Sequence, residues 1–156
     1  MHPRKFAMIA GTVMLLLGIA AFIPALSTYS ADLLRPLELN TSHGLFLGLF
    51  AMNVVNKVAL IVVGLAGIFA ASREAVALPR SITWARVVAV LMAVTAVLGL
   101  IPSTSTFFGY WPLYGYNVAS SAAFALLGAY FGFALTSKVP DRGPTRAEAK
   151  REIYGR

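Results

Sequence analysis

The chain has 156 residues, of which 58% are hydrophobic and 12% charged, about half the usual globular share of charge. A soluble domain cannot hide that much apolar surface, and the lack of cysteine excludes disulfides, thiolate metal sites and thiol nucleophiles. The net charge of +7 is read as a topological signal and not as nucleic-acid affinity, because the basic residues flank apolar spans.

A bilayer core about 30 Å thick needs roughly 20 apolar residues as helix, since every backbone N–H and C=O must be satisfied within the segment. Phe6 to Leu26 supplies the first span, preceded by Arg4 and Lys5. It is longer than the apolar region of a cleavable signal, so it reads as an anchor. Pro24 ends this helix or kinks its last turn.

The second span is predicted from about Asn53 to Ala71, with the preceding Gly44 to Phe50 as a short helix or re-entrant turn at the membrane surface. Between Arg86 and Lys138 there is no formally charged side chain, and this stretch is long enough for two crossings. The third span starts at Ile82 or Val87 and stops at Ile101 before Pro102, with Arg86 snorkelling near its end. The fourth runs from about Val118 to Thr136. The expected fold is an all-α integral membrane four-helix bundle over residues 1–139, followed by a basic tail over 140–156. In that tail Thr145 and Glu148 form a capping-box pattern, and its positive charge suits anionic lipid headgroups.

With the N terminus in the cytoplasm, that side collects eleven of the thirteen Lys and Arg residues and leaves Arg35 and Lys57 outside. Basic residues resist translocation, so both termini are expected to be cytoplasmic. The two halves also look related. Across Asn53 to Ser72 and Asn117 to Thr136, six of twenty positions are identical, Gly64 with Gly128 and Phe69 with Phe133 among them. Two tandem hairpins related by an axis along the membrane normal would produce this pattern; shared apolar composition is the alternative.

Small residues mark the packing faces. Ser121, Ala125, Gly128 and Gly132 recur at helical spacing in the fourth span, and Gly128 to Gly132 is a GxxxG pattern. In the second span Asn53, Lys57, Leu60, Gly64, Gly67 and Ala71 share a face. Lipid tails are as apolar as leucine, so membrane helices associate through close contact at such faces. The two faces are expected to meet at the centre, with a homodimer seam as the less common use of the same glycines.

The stretch Leu45-Phe46-Leu47-Gly48-Leu49-Phe50-Ala51-Met52-Asn53, followed by Val62-Val63-Gly64-Leu65-Ala66-Gly67, resembles small bacterial four-helix membrane proteins labelled domain of unknown function 4383. The resemblance spans roughly Phe6 to Leu135 and implies a membrane fold with no assigned activity. Members often place histidines just after the motif asparagine. This chain has Asn56, Lys57 and Leu60 there, so a haem or metal role does not carry over.

Asn53, Asn56, Lys57 and Asn117 form the candidate intramembrane polar site. Lys57 is an ionisable group inside an apolar span, where function is the default reading. Near the outer end, however, its stem can snorkel or its ammonium can meet Asp32 or Glu38. Asn53 and Asn117 are expected to hydrogen-bond across the repeat interface. His43 and His2 fall on opposite sides of the membrane and cannot share a metal, so no metal or other cofactor is expected. His43 is instead placed at the opening of the short surface helix, capped by Thr41 or Ser42. Phe107, Phe108, Tyr110, Trp111, Tyr114 and Tyr116 crowd the loop between the third and fourth spans. An interfacial aromatic belt is the simplest account, and a flat surface for a lipid, quinone, pigment or subunit is the sharper one.

No residue cluster identifies a reaction. The expected role is a non-enzymatic scaffold or accessory subunit of a bacterial inner membrane, contacting lipids and a larger complex or further copies of itself, with no nucleic acid. The alternative is a small oligomeric transporter or channel using Lys57, Asn53 and Asn117.

Overall fold

The computed structural model describes residues 2–72 and 77–135. The basic tail, with its Thr145 and Glu148 capping pattern, lies outside the described residues. Among the described residues four helices are long and apolar enough to cross a membrane: α1 (Pro3–Ala20), α2 (Val54–Ser72), α3 (Ala77–Leu100) and α4 (Tyr116–Ala129), the last taken together with the π-helical turn Tyr130–Ala134 that continues it. The chain is thus an integral membrane four-helix bundle. One end of it carries Arg4, Lys5 and Arg80 and is called the basic end. The other is closed by the two long connections and is called the capped end.

Each helix boundary has a local cause. Pro3 opens α1, where its missing N–H would be unpaired anyway. Ile23, ahead of Pro24, is forced extended (φ −76°, ψ 116°), so α1 stops at Ala20 and only a 3-10 turn follows. The helix is therefore shorter at this end than the expected span to Leu26. Asn53 caps α2 through Oδ1, which accepts from Val55 N at 3.1 Å and Asn56 N at 3.4 Å, while Asn56 Oδ1 accepts from Asn53 N at 3.2 Å. This is a capping box built from two asparagines. α3 begins earlier than predicted, which places Arg86 well inside it.

The largest departure from expectation is the segment before α2, which is not helical. Ser27–Thr28 (β1), Gly44–Phe46 (β2) and Phe50–Met52 (β3) form a three-stranded antiparallel sheet in the order β1-β2-β3, with Phe46 opposite Phe50. Leu47 (φ 54°) and Gly48 (φ 71°) turn the hairpin. Both faces of β2 are covered: Phe46 packs with Ala21 and Met52, and Leu45 with Ala51 and Tyr114. A short run buried on both faces has no alternation to distinguish it from helix. His43 accordingly opens no helix. Its N–H closes a turn to Asn40 O at 3.0 Å, and Ser42, at φ 56°, leads into the strand.

The glycine faces also pack differently from expectation. α2 and α4 do not meet through Gly64 and Gly128. A Cβ added at Gly64 would lie 2.6 Å from Gly11 O and Leu15 N of α1, and one at Gly128 would lie 2.8 Å from Ala85 O and 2.9 Å from Ala89 N of α3. Gly132 likewise abuts Arg86 of α3. Each glycine therefore fastens its own hairpin, α1 with α2 and α3 with α4, and these are the two most extensive helix contacts. The partners had to be small too, and Gly11, Ala85 and Ala89 are the complementary residues.

The hairpins join chiefly toward the basic end. Phe6 stacks on Phe131 with ring centroids 4.5 Å apart and lies 5.8 Å from Trp84. Trp84 donates its indole N–H to Val63 O at 3.1 Å, in the space that Gly67 leaves by having no Cβ. Two arginines cap the even-numbered helices: Arg4 Nε donates to Ala71 O at 2.9 Å and Arg86 Nε to Gly132 O at 2.8 Å. A cation at a helix C terminus opposes the negative end of the helix dipole. Arg86 thus holds a carbonyl where the sequence suggested snorkelling.

Replacing Gly64 or Gly128 with leucine should lower thermal stability by about 3 kcal/mol or more, because the obstructing atoms are backbone. Val62→Leu should be nearly neutral, since Val62 faces outward. Melting curves in detergent check this, and unchanged curves for both glycine variants would remove the proposed seams.

Candidate functional site at the capped end

Loops at membrane depth carry backbone carbonyls that helices and strands do not satisfy. At the capped end two asparagines meet this need reciprocally. Asn53, at the head of α2, donates through Nδ2 to Leu39 O at 3.2 Å and across to Tyr110 O at 2.8 Å. Asn117, in the first turn of α4, donates through Nδ2 to Pro112 O at 3.0 Å and across to Ala51 O at 2.6 Å. Asn56 Nδ2 adds a second donor to Pro112 O at 3.3 Å. Asn53 and Asn117 thus each hold one carbonyl of their own half and one of the other.

Lys57 is buried on the face of α2 that turns toward the first loop. Its Nζ donates to Ser42 O at 2.8 Å and Ser42 Oγ at 2.6 Å, with the Phe22 ring centroid 5.3 Å away. Ser42 takes the place expected of Asp32 or Glu38. A carbonyl, a hydroxyl and a ring face together replace water around the ammonium without a carboxylate.

Arg35 was not among the sequence candidates and proves central to the cap. Its Nη1 donates to Ser105 Oγ at 2.6 Å, its backbone N–H donates to Tyr114 Oη at 2.9 Å, and its guanidinium lies 5.1 Å from the Tyr114 ring centroid. Burial pushes the Tyr114 phenol above its usual pKa, opposed by the Arg35 amide and charge. The available signal was that Arg35 and Lys57 alone remain on the side opposite the other basic residues.

The six loop aromatics divide into separate groups. Phe107, Phe108, Tyr110 and Tyr116 are exposed, while Tyr114 is buried against the sheet and Trp111 is half-buried. Phe107 and Phe108 both have positive φ, 43° and 58°, a strained state for bulky side chains. Gly109 follows at φ 88°, and its carbonyl accepts from Leu39 N at 3.1 Å, tying the second loop to the first.

Beneath the cap, between the hairpins, lies a partly enclosed cavity of about 130 Å³. All four helices and the sheet contribute to its walls, which are mostly apolar. Asn56, Thr95, Trp111, Asn117, Ser120 and Ser121 are the lining residues with polar side-chain atoms. Among the packing residues named from sequence, Ser121 lines this cavity and Ala125 is half-buried on α4. No group of three or more metal-ligating side chains occurs among the described residues.

His43 sits beside this network, with its Nε2 buried and without a hydrogen-bond partner among the described residues. Burial, and secondarily the Lys57 charge, lower its pKa below 6.5. The neutral imidazole therefore belongs to the folded state, and the stability it contributes is present above the unfolded pKa and lost as pH falls through the lower folded value. Melting temperature should fall as pH drops below the ordinary imidazole value of 6.5, and His43→Gln should flatten that dependence. An unaltered pH profile in the variant would show that His43 does not carry it.

Comparison with known proteins places this geometry in a family without assigning it a reaction. No curated protein and no solved structure matches the chain. The family described as domain of unknown function DUF4383 matches residues 4–134, covering all four spans and both closing loops, and the chain belongs to that family.

Proposed function

We propose that the protein is a non-enzymatic scaffold or accessory subunit of a bacterial cytoplasmic membrane, with both termini in the cytoplasm and its capped end outside. One observation carries this reading. The polar side chains that a conduction path would need, Asn53, Asn117 and Lys57, hold backbone carbonyls and Ser42 at the cap, and they line no charged passage. Bound in this way they tie the two connections of the cap to each other and to the helices. That end presents exposed aromatic rings, Phe108 (72% exposed) against Phe107 with a centroid distance of 5.7 Å, and Tyr110 and Tyr116, suited to headgroups or to a neighbouring subunit. The GxxxG face of α4 is occupied by α3, so contacts with a larger complex or a further copy use other surfaces.

Orientation rests on the basic residues at one end of the bundle. Ser72 and Ser103 are exposed at opposite ends and suit cysteine labelling in this cysteine-free chain. In intact cells an impermeant thiol reagent should modify Ser103→Cys and spare Ser72→Cys. Labelling of Ser72→Cys alone would invert the topology.

The scaffold and transport readings part at Lys57. Lys57→Met should fold with a modest loss of stability and still copurify with the membrane partners of the wild type, and neither protein should conduct ions or protons in reconstituted vesicles. Reproducible flux in the wild type that disappears in Lys57→Met would establish the transport reading in its place.

A further inference from the structure

The cavity between the hairpins is flanked by hydrogen-bonding atoms that the fold leaves unused. Asn117 is 8% exposed and lines it. Both of its Nδ2 contacts are to carbonyl oxygens, which can only accept, so the amide orientation is fixed by chemistry. Its Oδ1 takes no donor among the described residues. Two further wall residues, Trp111 and Ser121, also leave the indole N–H and the hydroxyl without a partner there. Thr95 and Ser120 differ, since their hydroxyls donate to Met92 O and Asn117 O at 3.0 Å each.

None of these three atoms is sealed within the protein, so each remains accessible to a hydrogen-bonding occupant of the cavity whose wall its residue forms. Water alone fits poorly. A volume of about 130 Å³ would take several waters at about 30 Å³ each, and those against the apolar walls would lack the two to four polar partners that a buried water needs. The volume instead approaches the roughly 150 Å³ apolar cavity that accepts a benzene molecule. Phe46, Phe50 and Phe124 are among the lining residues, and no ionisable side chain lines the walls. A charged ligand would therefore be desolvated without a counter-ion.

We propose that this cavity binds a neutral, hydroxylated single-ring headgroup of phenol type, such as a membrane-soluble molecule would carry. The hydroxyl donates to Asn117 Oδ1 and accepts from the Trp111 indole N–H, and the ring lies against the phenylalanines. This site is independent of the scaffold reading and holds whether or not the protein has a protein partner.

Fluorine NMR on the protein in lipid nanodiscs, with empty nanodiscs correcting for partition, tests the site with para-fluorophenol and fluorobenzene. Para-fluorophenol should bind saturably and about tenfold more tightly than fluorobenzene, the factor that the hydroxyl's hydrogen bonds provide. Ala59→Phe, which fills the cavity from α2, should abolish binding while the melting temperature is kept. Met92→Trp fills it from α3 and replaces Ala59→Phe if that variant does not fold. Equal affinity for the two probes would overturn recognition of the hydroxyl. Binding that survives the filling variant, or no saturable binding at all, would overturn the site.

Discussion

The structure depends on one constraint: a backbone carbonyl at membrane depth must find a donor inside the protein. Helices satisfy this internally, but the two connections at the capped end cannot. Their carbonyls at Leu39, Ala51, Tyr110 and Pro112 are taken by the side-chain amides of Asn53, Asn56 and Asn117. Because Asn53 and Asn117 each span both halves, the cap both satisfies the loops and fixes the hairpins relative to each other. At the opposite end Arg4 and Arg86 perform the analogous task for the last carbonyls of the even-numbered helices. The matching roles of Asn53 with Asn117, and of Gly64 with Gly128 against their own odd-numbered helices, are the arrangement two related hairpins would give.

Much of this was legible in the sequence, because hydropathy reports burial in lipid directly. The four spans and the attention drawn to the intramembrane polar residues follow from which residues a bilayer tolerates, whereas the family was legible only through the motif residues Leu45 to Asn53 and Val62 to Gly67. The partners of those residues were harder to read. Gly64 and Gly128 announce a close approach without saying to what, and the answer lay in Gly11, Ala85 and Ala89, whose small side chains pass unremarked in apolar helices. Lys57 likewise demanded a partner, and carboxylates looked more natural than the carbonyl and hydroxyl of Ser42 that it uses.

The sheet was illegible for a different reason. Strand and helix are separated by period, and β2 is three residues long with both faces covered, so it offers no period to count. Arg35 was overlooked because it stands in a polar loop, where a charge needs no explanation. Only the fold brings it to Ser105 and Tyr114, far along the chain, and makes it a tie between the two connections. The six loop aromatics show the same limit. Composition groups them as a belt, while the backbone sends Tyr114 to the sheet and Trp111 to the cavity wall.

The position of the cavity follows from how the two kinds of seam are built. Inside each hairpin, glycine and alanine let the backbones touch, and nothing larger fits between them. Between the hairpins the gap is wider and must be filled by side chains. Toward the basic end Phe6, Trp84 and Phe131 fill it with stacked rings. Toward the capped end the corresponding space is bordered mostly by apolar side chains, with Asn56, Thr95, Asn117 and Ser121 among them, and a cavity of about 130 Å³ is left. Protein interiors are otherwise close to crystal density, and a void lined by unpaired polar atoms forfeits both dispersion contacts and hydrogen bonds. The reciprocal asparagines fix the two hairpins relative to each other at this end, and Asn117, which lines the cavity, belongs at once to the interaction that assembles the fold and to the wall of the site.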